Sequence, residues 1–290
     1  MSTENDRLLD LIGKGDTLQA LHLLYNGAGS PSARLAVNRA LYGAGGEVHD
    51  DILESAQEQH QAGLNSLDAR DRATALYNLG CFALHQDDVM QARMRFAEVL
   101  ELEPQHLMAR HNLAYAHELL AETDDARREY QAVLAQNPAC ALTRLNLAQL
   151  QLQEGEVAGG LAELEALHRA DPDNMGVLLY LCRGLLQRGG EPDLRGVLER
   201  LDGSADALRY VDLLECRAYA LFQLGDLDAA EKAFRALLET SADNLFAITG
   251  MIKVLGQRGD YPGMQPFVER RQAREPSDAV AALQADLAGS

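Results

Sequence analysis

From Ala73 onward, apolar residues recur three and four positions apart, the spacing of one face of an α-helix. Leu76, Leu79, Gly80 and Ala83 mark a first helix over residues 73–86. Asp87-Asp88 interrupts the pattern, and an aspartate just before a new periodic run is a natural N-cap. A second helix over 89–102 would bury Ala92, Phe96, Val99 and Leu100. Pro104 then ends the pair, because proline lacks an N–H and turns the preceding residue away from helix.

The pattern returns every 34 residues. Asn78, Asn112 and Asn146 stand at that interval, as do Arg110 and Arg144, Ala92 and Ala126, Phe96 and Tyr130, and Pro104, Pro138 and Pro172. A period of this length marks a solenoid of helix pairs, each burying its apolar face against its neighbours. Units are expected at 73–106, 107–140, 141–174, 175–210, 211–244 and 245–278. Gly80, Ala114 and Ala148 share one place, where paired helices would cross closely. In 175–210, Gly189-Gly190 and Pro192 mark the turn, and a longer connector covers 202–207. In 245–278, Pro262 suits a first helical turn, whereas Pro266 predicts a kink or a late helix start.

Residues 1–72 read as degenerate N-terminal repeats: a decayed unit over 1–30, then helices over 32–42 and 48–64. Residues 279–290 read as a capping helix with Val280, Leu283 and Leu287 facing inward. Terminal units are expected to be atypical because they close the core. The sum is about eight helix pairs and a cap.

Leu79-Gly80, Ala92, Phe96 and Pro104, and later Gly225, Ala230 and Phe234, resemble the tetratricopeptide repeat family, which places these residue types in this order. The resemblance is strongest over 73–140. It implies an all-α fold, a right-handed superhelical solenoid of antiparallel helix pairs whose first helices line a concave face. On that geometry the three asparagines form a ladder into the groove. Members of the family use such amides to hold the backbone of an extended peptide. The ladder is short: Tyr180 and Cys216 take the place in the next two units. An asparagine here can equally fix packing between units, since one amide both donates and accepts.

The resemblance places Tyr77, His111, Tyr115, Gln149, Arg183, Tyr219 and Lys253 on the same face. Aromatic and arginine side chains are enriched at binding hot spots. Arg183 and Lys253 suit an acidic group on a ligand, although Asp212 and Glu215 lie near enough to pair internally. Co-chaperone members of the family grip a terminal carboxylate with two lysines, an arginine and two asparagines. Asn112 matches one asparagine, but Tyr77, Cys81, Leu142 and Asn146 hold the other places, so that function is disfavoured. Arg110 and Arg144, early in their units, are expected to pair internally.

Composition narrows the partner more than the fold. The chain has 290 residues and no Trp. Its net charge of −18, without an acidic tail, argues against nucleic acid and anionic membranes, which require a basic footprint. It leaves solubility or a preference for basic partners. Cys81, Cys140, Cys182 and Cys216 form no CxxC pair and suit buried, reduced thiols. With no signal-like start and no apolar run long enough to span a bilayer, a cytoplasmic setting is expected.

His106, His111 and His117 do not share one helical face, and no cysteine spacing completes a zinc site. No nucleophile elbow or phosphate-binding loop appears. The expectation is therefore a non-enzymatic adaptor without cofactor or metal, which holds an extended segment of a protein partner. The alternative is a scaffold or chaperone-like subunit of a larger complex, such as a secretion, envelope or peptide-modifying system. It would use convex or terminal surfaces and includes self-association.

Overall fold

A computed structural model describes residues 69–204 and 206–274; the N-terminal repeats and the capping helix expected outside these ranges lie beyond the described residues. Twelve α-helices are present, and there is no strand among the described residues. They are α1 (Ala69–His85), α2 (Val89–Leu102), α3 (Leu107–Leu119), α4 (Thr123–Gln136), α5 (Ala141–Gln153) and α6 (Val157–Ala170). Then follow α7 (Met175–Arg188), α8 (Glu191–Asp202), α9 (Val211–Gln223), α10 (Leu227–Thr240), α11 (Leu245–Arg258) and α12 (Tyr261–Arg274). A short 3₁₀ turn, Ala207–Arg209, lies in the longer connector before α9. The architecture is an all-α solenoid of helix pairs. Two compact units divide between Thr143 and Arg144, in the first turn of α5.

Local chemistry starts the helices where the sequence asks. The Asp88 carboxylate accepts from the Gln91 N–H at 3.1 Å and caps α2. Asn174 caps α7, Asp226 caps α10 and Asn244 caps α11 in the same way. His106 does this for α3 through Nδ1, which accepts from the Ala109 N–H at 3.0 Å. The turn inside every pair needs one left-handed residue. Asp87 and Ala121 supply it in the first unit, both at φ 58°; Gly155, Gly189, Gly225 and Gly259 supply it in the second.

In the first unit α1 packs on α2, α2 on α3 and α3 on α4. Phe96, Val99, Ala109 and Tyr130 are buried at their centre. Gly80 is small for a reason: a Cβ there would sit 2.6 Å from the Phe96 ring. In the second unit each helix packs on the next from α6 to α12. The first helices of successive pairs also touch, α7 on α9 and α9 on α11. Phe234 fills the space beside Gly250, where a Cβ would lie 2.3 Å from its ring. The helix α12 starts at Tyr261 and carries Pro266 inside it, so the proline does not delay the helix. The carbonyl it fails to meet is that of Pro262, in an exposed first turn.

Candidate functional site

The contacts of α7 with α9 and of α9 with α11 leave a groove of about 430 Å³ along the first helices of the second unit. It is lined by Arg183, Leu186 and Gln187 from α7, by Asp212, Glu215, Cys216 and Tyr219 from α9, and by Phe246 from α11. On α9, Asp212, Glu215, Cys216 and Tyr219 follow the three- and four-residue spacing that puts side chains on one helical face.

The groove's walls are held in place. Gln187 donates to the Leu152 carbonyl at 2.9 Å. Asn244 donates to Glu215 Oε1 at 2.8 Å while its own oxygen caps α11 at 2.8 Å. One amide thus orients the carboxylate and starts the neighbouring helix. Arg183 donates to Asp212 Oδ1 at 2.8 Å, with both side chains about half exposed, and lies 5.9 Å over the Tyr180 ring. Tyr219 accepts from Gln223 at 2.5 Å and faces Phe246 with ring centroids 6.4 Å apart. Phe246 rests against Phe234 at 5.8 Å but stays 37% exposed. Cys216 is buried, and that burial pushes its thiol up to about 11, so it is an inert apolar element of the floor.

The residues expected on a concave face divide sharply. Arg183 and Tyr219 share this groove. Lys253 is exposed, Asn146 and Gln149 are half-buried, and none of the three lines it. In the first unit, Tyr77, Asn78 and His111 are buried, at 3%, 3% and 4% exposure. Tyr77 packs its ring between Phe96 and His106. His111 lies against Tyr130, with Nδ1 2.9 Å from the Thr143 hydroxyl. Asn112 is half-buried, and its amide donates to the Tyr77 hydroxyl at 3.4 Å and approaches the Cys81 sulfur at 3.7 Å. Tyr115 is 39% exposed.

Leu186 and Phe246 were not anticipated. The signal for Phe246 is positional. Arg183 and Tyr219 hold the ninth place of their units; Asp212 and Phe246 hold the second place of the following ones. The structure joins ninth to second both times, Arg183 to Asp212 and Tyr219 to Phe246. That rule is invisible along the chain but simple once helices are stacked.

Other polar clusters are spent on structure. Arg110 reaches Glu129 at 2.8 Å and the Pro104 carbonyl at 2.9 Å, and Arg144 pairs with Glu163. Both arginines tie a first helix to its own partner helix. His117, Glu122 and Asp125 offer ligand atoms within 4.8 Å of one another. Glu122 already receives Arg93 at 2.7 Å, and Asp125 receives Arg128 at 2.6 Å. Cys81, Cys182 and Cys216 are buried free thiols, and Cys140 is a half-buried one. No helix among the described residues is long and apolar enough to cross a membrane.

Residues 217–244, most of α9 and α10, match the tetratricopeptide repeat family. No curated protein sequence matches the chain. Solved structures do. A tetratricopeptide repeat protein from Parabacteroides merdae aligns with a TM-score of 0.63 at 17% identity, over 88% of this chain and 98% of its own. PilF of Pseudomonas aeruginosa aligns at 0.61 and 17% identity, over 76% of this chain and 100% of its own. PilW, a type IV pilus biogenesis factor, aligns at 0.64 and 16% identity, over 73% of this chain and 97% of its own. At such identities the likeness is one of fold.

Proposed function

We propose that this chain, a tetratricopeptide repeat protein, is a non-enzymatic adaptor that holds an extended segment of a protein partner in the groove of its second unit. One observation carries the reading: Arg183, Tyr219 and Phe246 come from three successive first helices and open onto a single groove. Backbone satisfied inside helices leaves recognition to side chains, and here they are rigid aromatics beside oriented charges. Such groups make hot spots at low entropic cost.

The asparagine ladder enters this reading one unit at a time. Asn112 in the first unit and Asn146 in the second are each half-buried. The Asn112 amide N–H groups face Tyr77 and Cys81, so its carbonyl oxygen is the group offered to a partner N–H. Buried thiols at Cys81, Cys182 and Cys216 favour a reducing, cytoplasmic setting.

Affinity capture tests the proposal with wild type, Tyr219→Ala/Phe246→Ala and Asn112→Ala/Asn146→Ala. A groove partner should be weakened at least ~10-fold by the first pair, about 1.4 kcal/mol, with helix content unchanged by circular dichroism. The ladder pair, which lies outside this groove, tests the amides separately: unchanged capture by it removes them from the mechanism. Equal capture by all three proteins removes the groove from the mechanism.

A second reading, assembly into a larger complex through another surface, is favoured by one patch. Leu208 and Tyr210 on the connector before α9, and Val211 at the start of α9, are 45%, 50% and 38% exposed. Light scattering separates the readings: concentration-dependent oligomers sensitive to Tyr210→Ser support this one.

A further inference from the structure

The groove's charge and shape narrow its partner further, on the premise that the groove binds a segment at all. Its carboxylates are Asp212 and Glu215, and its cation is Arg183, which is tied to Asp212. Glu215 is held by the neutral amide of Asn244, and no cation pairs with it among the described residues. The wall therefore keeps a net negative charge, on a chain that is itself −18. An acidic segment would be repelled from this wall. A lysine or arginine would neutralise Glu215 and compete with Arg183 for Asp212.

Beside the carboxylate, Leu186, Tyr219 and the exposed edge of Phe246 form an apolar slot. The volume, about 430 Å³, lies at the lower end of ordinary ligand pockets. It fits one aliphatic or aromatic side chain with its backbone. Glu215 and Tyr219 stand four residues apart on α9, one helical turn, or about 6 Å along the axis. Side chains on one edge of an extended segment repeat every second residue, at about 6.6 Å. The two spacings agree.

We propose that the groove recognises a basic, extended peptide segment in which an apolar anchor and a lysine or arginine are two residues apart. The anchor enters the slot formed by Leu186, Tyr219 and Phe246. The basic side chain meets Glu215 and Asp212. Because the contact combines an exposed charge pair with an apolar plug, its affinity falls with salt without vanishing.

A display library of random 12-residue peptides, panned on the full chain, tests this. The expected result is enrichment of sequences with Leu, Phe or Met two positions from Lys or Arg. Synthetic copies of the enriched peptides should bind Asp212→Asn/Glu215→Gln at least ~10-fold more weakly at low salt, with the gap closing at high salt. Phe246→Ala should abolish their binding. Enrichment of acidic or wholly polar sequences that still depend on Phe246 overturns this inference and leaves the groove as a binding site. Enrichment of nothing, or of sequences bound equally by Phe246→Ala, overturns the groove reading and this inference with it.

Discussion

The two units use one repeat differently. The unit through Thr143 keeps polar groups inside: among the described residues Asn78, His111 and Thr143 are buried, and the Asn112 amide points at Tyr77 and Cys81. The unit from Arg144 fills the same kind of interior with Leu, Val, Phe and small residues, and sets Arg183, Asp212 and Glu215 at the groove. The turns differ too. Where the second unit uses glycine, the first holds Asp87 and Ala121 at φ 58°. A repeat thus tolerates strain and buried polarity in one stretch while another takes glycine turns and an apolar interior. The candidate groove lies in the second.

The largest consequence concerns acid. Burial holds His111 down from the ordinary 6.5 to about 4. The folded chain therefore refuses a proton that the unfolded chain accepts between those values. The stability of the first unit is full above about pH 6.5 and falls as pH drops towards 4. At about 1.4 kcal/mol per pH unit, the loss is on the order of 3 kcal/mol. His168, in the second unit, is also held low, by partial burial and then by Arg200, but it is far less enclosed. Carboxylates held low by arginine, Asp193 by Arg188 and Glu231 by Arg235, lose their contribution only at lower pH. Hydrogen exchange at pH 7 and pH 4.5 should show α3 and α4 opening before α10 and α11. His111→Gln keeps a partner for Thr143 without titrating and should flatten that difference. Equal acid sensitivity in both units would erase the contrast.

Turn swaps should move the two units in opposite directions. A residue with a Cβ in the left-handed region costs roughly 1–2 kcal/mol, partly offset by the greater unfolded freedom of glycine. Ala121→Gly should therefore stabilise the first unit by up to ~1 kcal/mol. Gly225→Ala should destabilise the second by about 1 kcal/mol. A Cβ at Gly225 meets nothing within 4 Å, so that cost is conformational alone. Urea denaturation of both variants gives the signs, and the same sign for both would refute the account.

How much of this was legible beforehand follows from what each signal encodes. Helix pairs were readable because burial imposes a 3.6-residue period, and α2 falls on the residues that periodicity marked. The cap at Asp88 was readable because its chemistry is local. The left-handed turn was half readable: Gly225 and Gly259 announce it, whereas Ala121 does not. In the candidate site, Arg183 and Tyr219 were legible as residue types on a predicted face. Phe246 was not, because its role depends on lying opposite the ninth residue of the preceding unit. The burial of Tyr77 and His111 was hidden for a similar reason. A position on a helix says which way a side chain points, not what covers it.

The smallest expected effect probes the groove's charge. Arg183 and Asp212 form an exposed pair, with side chains 48% and 58% accessible, and such pairs contribute about 0–1 kcal/mol. Arg183→Ala should therefore change stability by less than ~0.5 kcal/mol. Arg110 in the first unit is 21% accessible and held by both Glu129 and the Pro104 carbonyl. Its loss leaves Glu129 poorly solvated, so Arg110→Ala should cost about 1 kcal/mol or more. Binding should run the other way. Without Arg183, Asp212 joins Glu215 as an uncompensated carboxylate, and basic anchored peptides should bind Arg183→Ala about 3-fold more tightly at low salt. Weaker binding would mean that Arg183 itself contacts the partner. The groove would then select an acidic or mixed segment, and the contrast between the two units would rest on packing alone.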